Sequence, residues 1–252
     1  MSNSSGIQCF VFDFDGVLFD TEKECLQLAF HASKSYEFAK SWTNLNEPPA
    51  EVAFAFLKSR YFVGPPWQYP VLLESIANDN VPATWEDFLE LAQKKEALYC
   101  DFRQHYYACR TSMGKDLYKF IKPVEKSPQV FLQLKKNHPT FILSTRNLES
   151  ISALWKHFFN MSLEEIILPL PKGEEKVSVL KNLAVAKAWK PGEIFFIDDY
   201  FPHLIPAHQQ GFNAFLAKWG YLGPNDANSA LKMGLPCVDL HQLEPLLEEL
   251  VS

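Results

Sequence analysis

Two runs of consecutive apolar residues dominate the hydropathy pattern, and both end in acids. Phe10-Val11-Phe12 leads into Asp13-Phe14-Asp15-Gly16, and Ile194-Phe195-Phe196-Ile197 leads into Asp198-Asp199. Short aromatic and β-branched runs without alternation predict strands buried on both faces, as in a parallel sheet. Two weaker runs, Phe141-Ile142-Leu143 and Ala214-Phe215-Leu216-Ala217, and a brief Ile166-Ile167-Leu168, predict further strands; a short strand is expected from Val238. Between them apolar residues recur at helical spacing. Val130, Phe131 and Leu134 share one face, then Ile151, Leu154, Trp155 and Phe158, then Val179, Leu180 and Leu183. From residue 127 onward strands and helices therefore alternate, which predicts a parallel sheet with right-handed crossovers. An acidic helix closes the chain.

The stretch from 21 to about 122 breaks this rhythm, with helical spacing and loops but no alternating strand. Thr21-Glu22-Lys23-Glu24 fits a capping box, 51–61 reads as one helix, and Thr84 caps another that runs past Cys100 towards Cys109. Ser127-Pro128 predicts a helix opening with Ser at the N-cap, and Asn147 caps the helix after the 141–143 strand. The expected architecture is α/β: a Rossmann-like parallel-sheet core from 1–20 and 123–252, with an all-helical cap inserted over 21–122.

Composition narrows the function. The chain has 252 residues, 47 % hydrophobic, and a net charge of −6 with no basic run, which argues against a nucleic-acid partner. No apolar run reaches the ~20 residues of a membrane span, and residues 1–6 lack the features of a secretory signal. The five cysteines are odd in number, widely spaced and without a C-x-x-C pair, so reduced thiols and a cytoplasmic setting are expected.

The chemistry-bearing residues fall at strand ends. In open α/β sheets ligands bind beyond the carboxyl ends of the strands, so Asp13 and Asp15, Ser144 or Thr145, and Asp198 and Asp199 should converge on one crevice. Lys172 or Lys176 opens the helix before the last pair. Each taken alone is a common cap or turn residue. Together, four carboxylates in one crevice repel one another unless a hard divalent cation binds there. All-oxygen ligands, a lysine and a hydroxyl point to Mg²⁺, a phosphate and a carboxylate nucleophile.

These residues resemble the haloacid dehalogenase-like hydrolases. Asp13-Phe14-Asp15-Gly16 is similar to the family's first motif, Ser144-Thr145 to its second, Lys176 (better than Lys172) to its third, and Asp198-Asp199 to its fourth, all in order. The tail Ala217-Lys218-Trp219-Gly220-Tyr221 and the opening Phe19-Asp20-Thr21-Glu22 of the insertion resemble the phosphoglycolate-phosphatase-like branch, which carries a helical cap. The resemblance implies a nucleophilic Asp13, an acid/base Asp15, a charge-offsetting Lys176, and Mg²⁺ held by Asp13, the Asp15 backbone carbonyl and Asp198 or Asp199. Members that cleave carbon–halogen bonds lack the second acid, so a small phosphorylated metabolite is the expected substrate. A phosphomutase sharing the aspartyl-phosphate, and a non-catalytic or receiver-like phosphate-binding module, are the alternatives. Where many relatives carry a further acid, this chain has His203. Arg60, Arg103 and His105, expected to be exposed on the insertion, are candidate substrate contacts.

Overall fold

The computed structural model describes residues 6–171 and 173–251; the amino-terminal segment read above up to residue 5, and Lys172, lie outside the described residues. The chain divides into two units. One comprises the residues up to Asp20 and from Pro123 onward, the other Thr21–Lys122.

In chain order the strands are β1 (Cys9–Phe12), β2 (Phe19–Asp20), β3 (Lys122–Pro123), β4 (Thr140–Leu143), β5 (Ile167–Leu168), β6 (Ile194–Asp198), β7 (Asn213–Ala217) and β8 (Cys237–Val238). Six of them form one sheet in the order β5-β4-β1-β6-β7-β8, every pair parallel. The fold is thus the α/β, Rossmann-like arrangement that the alternation of elements predicts, with an all-helical insertion. All residues of β1 and β6 are buried, because these central strands are covered on both faces. Phe12 meets Phe131 edge-on at 5.4 Å, and Phe131 lies 5.6 Å from Trp155. Each such side chain removed from water contributes about 1.5–3 kcal/mol.

The register brings the chemistry together. Phe12 pairs with Ile142 on one side and with Ile197 on the other. The next residues of β1 and β6, Asp13 and Asp198, are therefore level on adjacent parallel strands, about 4.8 Å apart. Beyond β1 the chain turns tightly: the Leu18 and Phe19 N–H groups both donate to the Phe14 carbonyl, and Gly16 N–H donates to Phe19. Gly16 has φ +79°, which glycine adopts without steric penalty. Val124 N–H donates to the Leu18 carbonyl at 2.9 Å, so the strand returning from the insertion lies beside the one that left.

The second unit packs five α-helices, Glu22–Ser33, Ala50–Ser59, Tyr69–Ala77, Trp85–Lys95 and Phe102–Met113, around Phe30, Phe56, Phe88, Phe102 and Tyr106. Glu24, in the first turn, is buried and accepts from Arg110 Nε at 3.2 Å. The expected capping box is not made, because Thr21 forms no side-chain cap bond and Glu24 is engaged by Arg110. The expected single helix from Thr84 towards Cys109 breaks at 96–101. Buried positions 88, 92, 99, 102 and 106 keep a helical spacing, but a 3-10 segment at Glu96–Tyr99 intervenes and the Tyr99 hydroxyl donates to Glu74. Helix Ser127–Asn137 begins one residue earlier than expected: Lys126, at φ +63°, is the N-cap, and Ser127 sits inside the helix.

Candidate active site

Asp13, Asp198 and Asp199 are buried, and one carboxylate oxygen of each lies within 4.8 Å of the others. Lys176, the first residue of helix Lys176–Lys187, reaches between two of them. Its Nζ lies 2.8 Å from Asp13 Oδ1 and 2.7 Å from Asp198 Oδ2. Burial alone lowers an ammonium's pKa, but Asp13 and Asp198 outweigh it and hold Lys176 above its ordinary range.

The two acids of the last pair are held differently. Asp198 is wholly buried, and burial alone would raise its pKa. It accepts from Lys176 Nζ, faces His203 Nδ1 at 3.1 Å, and takes the Tyr200 N–H at 2.8 Å. Lys176 and His203 together bring Asp198 well below the usual carboxylate range. Asp199 Oδ2 accepts the Tyr221 N–H at 2.6 Å. Two glycines pack against it: a Cβ on Gly220 would stand 2.2 Å from Asp199 Cβ, and one on Gly16 would stand 2.0 Å from its Oδ2. Only residues without side chains let these two backbones approach the carboxylate.

Asp13 is placed in the opposite sense. Burial raises its pKa well above the carboxylate range; Asp198 adds to this, Lys176 opposes it, and Asp199 and Asp15 raise it further. Its Oδ1 takes the N–H of Phe14 at 2.7 Å. Asp15 lies outside the three-carboxylate group. Its side chain is gripped by Arg146, with Nε at 3.0 and 3.2 Å from the two oxygens and Nη2 at 2.8 Å from Oδ1. Ser144, directly after β4, is buried, and its Oγ accepts the Arg146 N–H at 3.1 Å; Thr145 beside it is half-buried.

Asp13, Asp15, Ser144, Lys176, Asp198 and Asp199 thus meet at one end of the sheet. The sequence pattern gives no hint of Arg146, which pairs across 131 positions of sequence. His203 is both the third residue of helix Phe201–Gln209 and a partner of Asp198. In the second unit Arg60 is buried and donates to the Val63 carbonyl beneath the Tyr69 ring, which corrects its reading as an exposed contact. Arg103 stacks on Tyr107 and His105 packs near Tyr36.

The donor set fits a hard divalent cation. Four carboxylates, Asp13, Asp15, Asp198 and Asp199, face two permanently charged side chains, Lys176 and Arg146, leaving an excess of two negative charges. The ligand atoms are all oxygens, as Mg²⁺ and similar ions prefer. Burial is the main cause of the raised pKa of Asp13, and the neighbouring carboxylates Asp198, Asp199 and Asp15 add to it.

A parallel α/β sheet with clustered acids and a buried lysine beyond its strand ends accompanies the sequence profile of a hydrolase. The chain belongs to the haloacid dehalogenase-like hydrolases, whose sequence profile matches residues 7–210. No curated protein matches the chain in sequence. Among solved structures, it is similar to a predicted phosphatase from Clostridium acetobutylicum (TM-score 0.65, 15 % identity, 96 % of this chain and 99 % of that one). It is also similar to a predicted phosphoglycolate phosphatase from Haemophilus somnus (0.63, 14 %, 98 % and 100 %). A haloacid dehalogenase-like hydrolase from Streptococcus pneumoniae aligns at 0.59 and 18 %, covering 96 % and 98 %. At these identities the likeness is one of fold.

Proposed function

We propose that the protein is a Mg²⁺-dependent phosphatase that hydrolyses a small phosphorylated metabolite through an aspartyl-phosphate on Asp13, with the helical unit Thr21–Lys122 serving as its cap. The observation that carries this reading is Lys176 Nζ lying 2.8 Å from Asp13 within a group of three buried carboxylates. Family membership and the phosphatases of similar fold support the reaction class.

Asp13, the Asp15 backbone carbonyl and Asp199 would hold the ion, with Asp198 anchoring Lys176. A bound Mg²⁺ supplies positive charge that draws off phosphoryl charge and keeps Asp13 ionised. In the first step a carboxylate oxygen of Asp13 bonds to phosphorus as the ester P–O bond breaks, and Asp15 gives its proton to the departing alkoxide. In the second, Asp15 takes a proton from water, whose oxygen bonds to phosphorus as the acyl-phosphate bond to Asp13 breaks. Lys176 and a hydroxyl of the Ser144–Thr145 pair bind the remaining phosphoryl oxygens.

The test is Asp13→Asn. It should abolish Mg²⁺-dependent phosphate release from an aryl phosphate while the circular dichroism spectrum stays that of the parent. An active Asp13→Asn protein would remove the nucleophile from this scheme. A screen of phosphorylated metabolites then identifies the substrate.

A further inference from the structure

We infer that Arg146 is a positioning residue for the reaction: its guanidinium fixes the carboxylate of Asp15 in its working orientation. The inference rests on the reading of Asp15 as the acid/base. Three observations carry it. Nε and Nη2 make a bidentate contact with Asp15, at 2.8–3.2 Å. The third arm, Nη1, donates to Ser150 Oγ at 2.9 Å, on helix Leu148–Phe159. The guanidinium also lies over the Phe14 ring at 5.6 Å, and Phe14 stacks on Phe19 at 4.7 Å with an 18° interplanar angle.

Arg146 thus touches the segment carrying the acid at two consecutive residues and is itself held from behind by a helix. Its side chain is 2 % exposed and its donors are engaged by Asp15 and Ser150, which places it to hold a neighbour. A planar fork that meets two oxygens at once fixes both the position and the rotation of a carboxylate, which a lysine ammonium does not do. The residue follows β4 by three positions, beside Ser144, so one strand end presents a hydroxyl and orients the acid. An acid/base must stand within hydrogen-bond reach of the leaving oxygen, and misplacing a catalytic group by about 1 Å costs on the order of 10²-fold in rate.

The test is a double-mutant cycle on the full chain with Mg²⁺ and an alkyl phosphate identified by the metabolite screen. Arg146→Met should lower kcat by about 10²-fold with KM little changed, and Arg146→Lys by about 10-fold, the charge surviving without the fork. In an Asp15→Asn background Arg146→Met should cost nothing further, because its effect passes through the missing carboxylate. Added guanidinium ion should restore part of the activity of Arg146→Ala. Equal losses in both backgrounds, or an Arg146→Lys variant with parental kcat, would overturn the inference while leaving the acid/base role intact. Full activity in Asp15→Asn alone would instead overturn the reading on which it rests. Should Arg146→Met fail to fold, the Arg146→Lys arm of the cycle decides the matter by the same comparison.

Discussion

Gly220→Ala places a methyl group where Asp199 already stands. Its Cβ would lie 2.2 Å from Asp199 Cβ and 2.5 Å from Oδ2, whereas ordinary contact begins at 3.4 Å. The turn cannot retreat easily, because Trp219 Nε1 donates to the Val17 carbonyl at 3.1 Å and Tyr221 N–H to Asp199 at 2.6 Å. Asp199 must therefore move by about 1 Å, breaking the hydrogen bond it accepts from the Tyr221 N–H or leaving the carboxylate group. Overpacking of this kind costs roughly 1–3 kcal/mol of stability. The larger effect falls on the ion, whose affinity should drop about 10–100-fold, the scale seen when supporting contacts of a metal ligand are lost. The assay is the Mg²⁺ concentration that half-saturates the rise in thermal midpoint, read beside Mg²⁺-dependent phosphatase activity. Gly192→Ala is the control, since its Cβ would meet nothing closer than 3.7 Å. Parental Mg²⁺ half-saturation in Gly220→Ala would refute the packing argument and the assignment of Asp199 as a ligand together.

Lys176→Met leaves Asp13 and Asp198 buried without their shared ammonium; it should abolish activity and destabilise the fold by about 3–5 kcal/mol in urea unfolding. An unchanged urea midpoint would show that Lys176 does not carry the counter-charge. Cys9, buried in β1, has its thiol pushed up to about 12 by burial, partly offset by Lys187. The unfolded chain ionises this thiol above the ordinary cysteine value of 9.0 while the native one keeps its proton, so stability is full below that pH and falls as pH rises towards 12. The loss reaches about 4 kcal/mol at the upper end and should be missing from Cys9→Ala; parallel pH profiles for the two proteins would contradict the buried environment of the thiol.

The central sheet is legible because Phe10–Phe12 and Ile194–Ile197 are apolar at every position, which only a doubly covered strand requires. The acids after them are legible for the same reason, since a parallel register leaves no other place for Asp13 and Asp198 than side by side. Local signals that compete with tertiary contacts are less readable. Thr21-x-x-Glu24 has the letters of a capping box, but burial commits Glu24 to Arg110, 86 residues away. The helices Tyr69–Ala77 and Asp226–Lys232 do carry apolar residues at helical spacing (Tyr69, Leu72, Leu73 and Ile76; Ala227, Ala230 and Leu231), but they are short and lie beside the breaks Gly64-Pro65-Pro66 and Gly223-Pro224, which read as loop. Arg146 is the sharpest case. Its carboxylate partner Asp15 stands 131 positions away in the sequence, and only the folded chain brings β1 and β4 together.

The Val124–Leu18 hydrogen bond has a consequence for how such a protein can change. Because the two ends of the excursion from the sheet are pinned together, ring closure is already accounted for by the core. Its entropic penalty grows only with the logarithm of the enclosed length. The polypeptide between Asp20 and Pro123 is thus free to lengthen, shrink or be exchanged wholesale over generations, while the reacting groups keep their places.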